Sequence, residues 1–175
     1  IYIDERLVKR ADASGPKSAQ MVLQNPRVDF AVFETARGGI LREGLGYGKN
    51  DVAVVMNVSG DHLGLKGIDT LEQLAGVKQV VVEAVPKSGW AVLNADDPLV
   101  LEMRKACSGS VILFSMDQDN AFIDRWVRRG RKAVVFFAAD HELGGGEIGG
   151  GRASHVYDAA VSDARGELDP LRQLA

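Results

Sequence analysis

The chain is poor in cysteine: Cys107 is the single one in 175 residues. That excludes an intramolecular disulfide and any multi-cysteine zinc site. No stretch approaches the roughly 20 consecutive apolar residues of a membrane-spanning helix, and no secretory signal is read at the start. There is no basic excess either, because 21 Lys+Arg stand against 24 Asp+Glu for a net charge of −3. Dominant non-specific nucleic-acid binding needs such an excess, so no nucleic-acid and no membrane partner is expected, and the cytoplasm is the expected location. Two nucleotide signatures are missing as well. No G-x-x-x-x-G-K followed by Ser or Thr occurs, and no G-x-G-x-x-G opens a helix after a strand. Gly44-Leu45-Gly46-Tyr47-Gly48-Lys49 is glycine-rich but fits neither pattern.

What is present is enough for a core. Hydrophobic residues make up 46% and charged residues 26%, ordinary globular values that argue against disorder of the whole chain. Residue 1 is Ile, and Ile1 to Val8 alternates like a strand that begins mid-sheet, so the chain reads as a piece of a longer protein. Six glycines fall between Gly144 and Gly151, and the polar, Ala-rich stretch after them is only weakly periodic. Residues 1–137 are therefore expected to form the domain, and residues 138–175 a Gly-rich linker and weakly ordered tail.

Along the domain, strand and helix signals alternate. Ser14-Gly15-Pro16 starts a helix that Asn25-Pro26 stops. Val28 to Phe33 and Asp51 to Val58 read as strands. Asp69, with Glu72 three residues on, predicts a capped helix reaching about Val85. Trp90–Leu93, Val111–Phe114 and Lys132–Phe137 read as further strands. Between them fall a helix from Asp97 to about Cys107, with Pro98 at its first position, and a short amphipathic one over Asn120–Arg129. Strands apolar on both faces and alternating with helices predict an α/β fold: a mostly parallel sheet with helices on both faces. Ligands of such sheets bind beyond the carboxyl ends of the strands. The places to search are just after Phe33, Met56 and Leu93.

Each of those places carries chemistry. After Phe33 comes Glu34, then Arg37, Gly38, Gly39 and Arg42. A lone carboxylate suits Mg²⁺, which shares its shell with phosphate and water. The plainer reading pairs Glu34 with Arg37 or Arg42. After Met56, Asp61 and His62 stand together, able to meet a metal or phosphate, or to be only a loop His beside a capping Asp. In the helix from Leu71, the apolar positions Leu71, Leu74, Ala75, Val82 and Val85 leave one gap at helical spacing, and Lys78 fills it. A lysine there must snorkel, pair or be chemically altered. After Leu93 comes Asn94-Ala95-Asp96-Asp97-Pro98, where a cap accounts for one aspartate and leaves the other for a ligand. Cys107 reads as a small buried hydrophobe. Trp126 with Arg125, Arg128 and Arg129 reads as a solvated helix face, with polyanion contact as the lesser alternative.

Taken together, these segments resemble the Mur-ligase-like central domain of the cyanophycin synthetase family. The match rests on Ser14 to Ala19 (SGPKSA), Glu34 to Arg42 (ETARGGILR), Asn57 to Gly67 (NVSGDHLGLKG), Ile68 to Glu83 (IDTLEQLAGVKQVVVE) and Asn94 to Pro98 (NADDP). It covers about residues 1–137 and fails from Ala138. The resemblance implies an ATP-dependent ligase with Mg²⁺. An aspartate side-chain carboxylate is activated as an acyl phosphate, and arginine's α-amine attacks it to give an isopeptide, ADP and phosphate. It implies Glu34 and His62 at the metal, and Lys78 as the lysine often carbamylated in that superfamily. Glu34, His62 and Lys78 are then the catalytic group. Asn94, Asp96 and Asp97 fall near the nucleotide, and Arg37 and Arg42 hold acidic substrate or phosphate. The implied partners are the aspartate/arginine polymer, arginine, and the rest of the ligase chain. That remainder includes the P-loop and ATP-grasp regions, expected before residue 1, so the piece is not expected to turn over ATP unaided. The full-length family forms homo-oligomers. Gly60 departs from the acidic or small polar residue usual before Asp-His. The competing reading is a non-catalytic scaffold or polymer-binding domain of the same fold.

Overall fold

The computed structural model describes residues 1–3, 5–10, 12–60, 63–64, 66–137 and 153–157. The chain opens on a two-stranded antiparallel pair of its own, β1 (Tyr2–Ile3) and β2 (Arg6–Leu7). The single strand expected over Ile1 to Val8 is thus folded back on itself; Glu5 takes a positive φ of 61° between its two halves. Helix α1 (Pro16–Leu23) begins with proline at its first position and stops at Gln24, ahead of Asn25-Pro26, as the sequence indicates.

The strand expected over Val28–Phe33 is absent: this segment is irregular, and Phe30 and Val32 are each 85% exposed. A strand needs a neighbour to take its N–H and C=O groups, and the five-stranded order of the main sheet does not include these residues. Helix α2 (Arg37–Glu43) follows, where two glycines had left no helical signal in the sequence. Gly46 holds α2 and α1 together: at φ 81°, a Cβ on it would stand 2.5 Å from the Pro16 carbonyl oxygen.

The main sheet runs β3 (Val52–Val55), β4 (Trp90–Asn94), β5 (Ser110–Ser115) and β6 (Ala133–Phe137), all parallel and in sequence order. Strand β7 (Ala153–Tyr157) adds antiparallel to β6 within the stretch read from the sequence as a tail. The α/β, mostly parallel architecture is the expected one, but the helices of its crossovers, expected on both faces, pack on one. The crossovers are α3 (Leu71–Glu83), α4 (Pro98–Glu102) with a 3₁₀ turn over Met103–Lys105, and α5 (Ala121–Val127). Right-handed crossovers that always step the same way put their helices on one face. Ala53, Val55, Ala91, Leu93, Leu113 and Ala133 form the sheet side of the core there, against Leu74, Val82, Val100, Met103, Ile123 and Trp126. The opposite side of β3 carries Val52 and Val54 exposed. Cys107 packs part-buried on the same core. Trp126 is buried, its indole N–H donating to the Lys132 carbonyl at 3.0 Å, while Arg128 on the solvent side pairs with Asp124.

The α3 cap falls one residue later than expected. Thr70, not Asp69, accepts from Gln73 N at 3.2 Å, and the Gln73 side chain accepts back from Thr70 N at 3.1 Å. A hydroxyl and an amide suit this reciprocal arrangement as well as the Asp69/Glu72 spacing does. Glu72 lies instead in the first helical turn. No helix among the described residues is long and apolar enough to cross a membrane.

Candidate functional site

The parallel strands deliver their loops to one edge, as the fold rule requires. There, an open cleft of about 400 Å³ lies along β3 and the segment after Phe33. Glu34, Thr35, Tyr47, Asn57 and Lys78 are among its lining residues. Phe33 stacks on Tyr47 with ring centroids 5.9 Å apart, and so fixes the backbone just before Glu34.

Glu34 reaches this cleft from an irregular segment rather than from a strand end. Its side chain is exposed, and among the described residues neither Arg37 nor Arg42 pairs with it. The plainer sequence reading, an ion pair within the segment, is therefore not what forms. Arg37 begins α2, and its Nη1 is buried without a hydrogen-bond partner. Arg42 lies in the last turn of α2, where it adds to the field on Asp12. The Ser14 amide and hydroxyl donate to Asp12 at 3.0 and 2.7 Å, and with Arg42 they hold its carboxyl below the ordinary carboxylate range. Neither arginine lines the cleft with Glu34 and Lys78.

Lys78 is half-buried on the inner side of α3, where the gap in the apolar stripe placed it, and it is paired: its Nζ donates to the Asn57 carbonyl at 2.8 Å. Asn94 Nδ2 donates to the Met56 carbonyl at 2.9 Å, and Asp97 Oδ2 accepts from Val58 N at 2.7 Å. Asp97 is also the α4 cap, its Oδ1 accepting from Leu99 N and Val100 N at 2.9 and 3.2 Å. Asp96 turns the other way. It accepts from Ser115 Oγ at 2.5 Å, Asn120 Nδ2 at 2.9 Å and Met116 N at 2.7 Å. Ser115, fully buried, and Asn120, the α5 cap, escaped the sequence reading. Only the helix-start position of Asn120 gave a signal. Asp61 and His62 lie outside the described residues.

The donor set fits a magnesium ion in a limited way. Glu34 offers a hard oxygen on an open cleft with no competing partner among the described residues, and Mg²⁺ takes few protein carboxylates. Among the described residues no group of three or more His, Cys, Asp or Glu could hold a metal, and Glu34 is the one carboxylate among them that lines this cleft.

Comparison with known proteins agrees with this fold. Residues 11–143 match the Mur ligase middle domain. The chain belongs to the Mur ligase middle-domain family. Within it, the chain is 53% identical over 136 residues to cyanophycin synthetase of Synechocystis sp., and 52% over 136 residues to that of Crocosphaera subtropica; each match takes in 78% of this chain. A Mur ligase proper, UDP-N-acetylmuramoylalanine--D-glutamate ligase of Symbiobacterium thermophilum, is 35% identical over 103 residues, 54% of this chain and 22% of its own length. The chain spans 16% of the length of the cyanophycin synthetases it matches. These relatives are named as synthetases and ligases.

Proposed function

We propose that this domain is the nucleotide-handling part of an ATP-dependent amide ligase of the cyanophycin synthetase type, working in the cytoplasm as part of a longer, homo-oligomeric chain. The observation that carries the reading is identity of about one half to two cyanophycin synthetases over 78% of the chain. The cleft at the β3 exit supports it, because a carboxylate without a partner among the described residues and a lysine line the same open space. In this reading an aspartate side-chain carboxylate takes the γ-phosphoryl group of ATP. The α-amine of arginine then displaces phosphate, leaving an isopeptide, ADP and phosphate. Glu34 and His62 would hold a magnesium ion, which supplies neutralisation of phosphate charge. Lys78 lines the same cleft as Glu34, and its carbamylation would exchange a positive charge for a carboxylate that could support the ion. Arg37 and Arg42 supply cationic groups for acidic substrate, and Asn94, Asp96 and Asp97 serve the edge where the nucleotide lies.

Calorimetry of Mg-ATP binding to this chain is the test. Glu34→Ala and His62→Ala are each expected to weaken binding at least about tenfold. Binding left unchanged by both substitutions would count against a half-site on these residues and favour a scaffold; no binding at millimolar ATP would mean that the P-loop expected before residue 1 carries the affinity, and the assay is then repeated with that upstream segment restored.

A further inference from the structure

We infer that Asn94 and Asp97 are positioning residues, which fix the backbone leaving β3 rather than touching the nucleotide; this rests on the proposed function. Three consecutive residues, Met56, Asn57 and Val58, are each held through a backbone group by a side chain from a different place. Asn94 at the end of β4 takes the Met56 carbonyl, Lys78 of α3 the Asn57 carbonyl, and Asp97 at the head of α4 the Val58 amide, at 2.9, 2.8 and 2.7 Å. The loop that leads to Asp61 and His62 starts from this clamp.

The chemistry of each side chain matches the clamp. Asn94 donates to Met56 O through Nδ2 while its Oδ1 accepts from Asp96 N at 2.9 Å, so both ends of the amide are engaged and its orientation is set. An aspartate there would turn an acceptor toward the Met56 carbonyl. Asp97 uses one oxygen for the α4 cap and the other for Val58. Serine, threonine or asparagine could cap equally well, but only a carboxylate has a second acceptor oxygen to offer Val58. These bonds fix the orientation of both side chains, so a ligand could use only the second Nδ2 hydrogen or the spare lone pairs they leave, in the direction the clamp already sets. Asp96 ties the same turn to the exit of β5, and Ala95 N donates to Phe114 O at 2.7 Å. The Asn94-to-Asp97 turn thereby braces both neighbouring loops at the cleft edge.

The substitution that separates the roles is Asp97→Ser, which keeps a capping oxygen and loses the bond to Val58. Amide exchange of this chain by NMR is expected to show Val58 exchanging about tenfold faster or more, with Leu99 and Val100 within about twofold of the parent. In the whole ligase, Asp97→Ser and Asn94→Asp are expected to lower kcat by about tenfold or more while KM for ATP moves less than about threefold. Unchanged Val58 exchange overturns the inference. So does a rise in KM for ATP with kcat retained, which marks direct nucleotide contact, or faster Val58 exchange with unaltered kcat, which marks a purely structural bond. The exchange arm needs no nucleotide. A parent ligase that does not use ATP would defeat the proposed function and leave the clamp still decided by Val58.

Discussion

Single carboxylates at this edge differ by what holds them. Glu34 faces the cleft with no partner among the described residues, while Asp97 and Asp96 each accept three hydrogen bonds. Away from the cleft, Glu72 takes hydrogen bonds from its own amide and the Thr70 hydroxyl, which hold its carboxyl below the ordinary range. A carboxyl depressed in the folded state adds stability above its unfolded pKa, and loses it as pH falls through the folded value. Titration of the Glu72 side-chain carbon by NMR is therefore expected to give a midpoint below that of a free glutamate. Thr70→Ala should raise the midpoint only partway, because the Glu72 amide is the larger cause. Some residue roles were legible in the sequence and some were not. Lys78 showed itself as a gap in an apolar stripe, and Asp97 as a cap through Pro98. The Val58 contact of Asp97 spans 39 positions in sequence, and no local pattern encodes a side chain reaching a distant backbone amide.

At the scale of elements, boundaries written in local chemistry were readable and those set by tertiary contact were not. Proline at the start of α1 and α4 marked both helices. Val28–Phe33 has strand composition but no strand beside it among the described residues, and α2 forms through a double glycine, with Gly39 packed within reach of Pro16. Two predictions belong here. Thr70→Ala removes the α3 cap and should cost about 1 kcal/mol, read by urea denaturation. Gly46→Ala meets both a positive φ and the Pro16 carbonyl, and should lower stability by about 1–3 kcal/mol; equal stability would mean that α1 and α2 are not locked at this point.

Among the described residues, the parallel order of β3 to β6 places the core on one face of the main sheet and the loop exits at one edge. Leu93 and Leu113 sit side by side at the centre with no exposed surface. Replacing either by alanine should cost about 2–5 kcal/mol by thermal or chemical unfolding. The central claim is that nucleotide and metal meet at the carboxyl edge beside Glu34. It is tested most directly by adding Mn-ATP in place of Mg-ATP and mapping which backbone amides broaden in the NMR spectrum. Broadening is expected at Glu34, Thr35, Met56, Asn57 and Val58, and not at Arg131 and Lys132 on the opposite edge. Broadening centred on Arg131 and Lys132, or spread evenly over the chain, would contradict the claim.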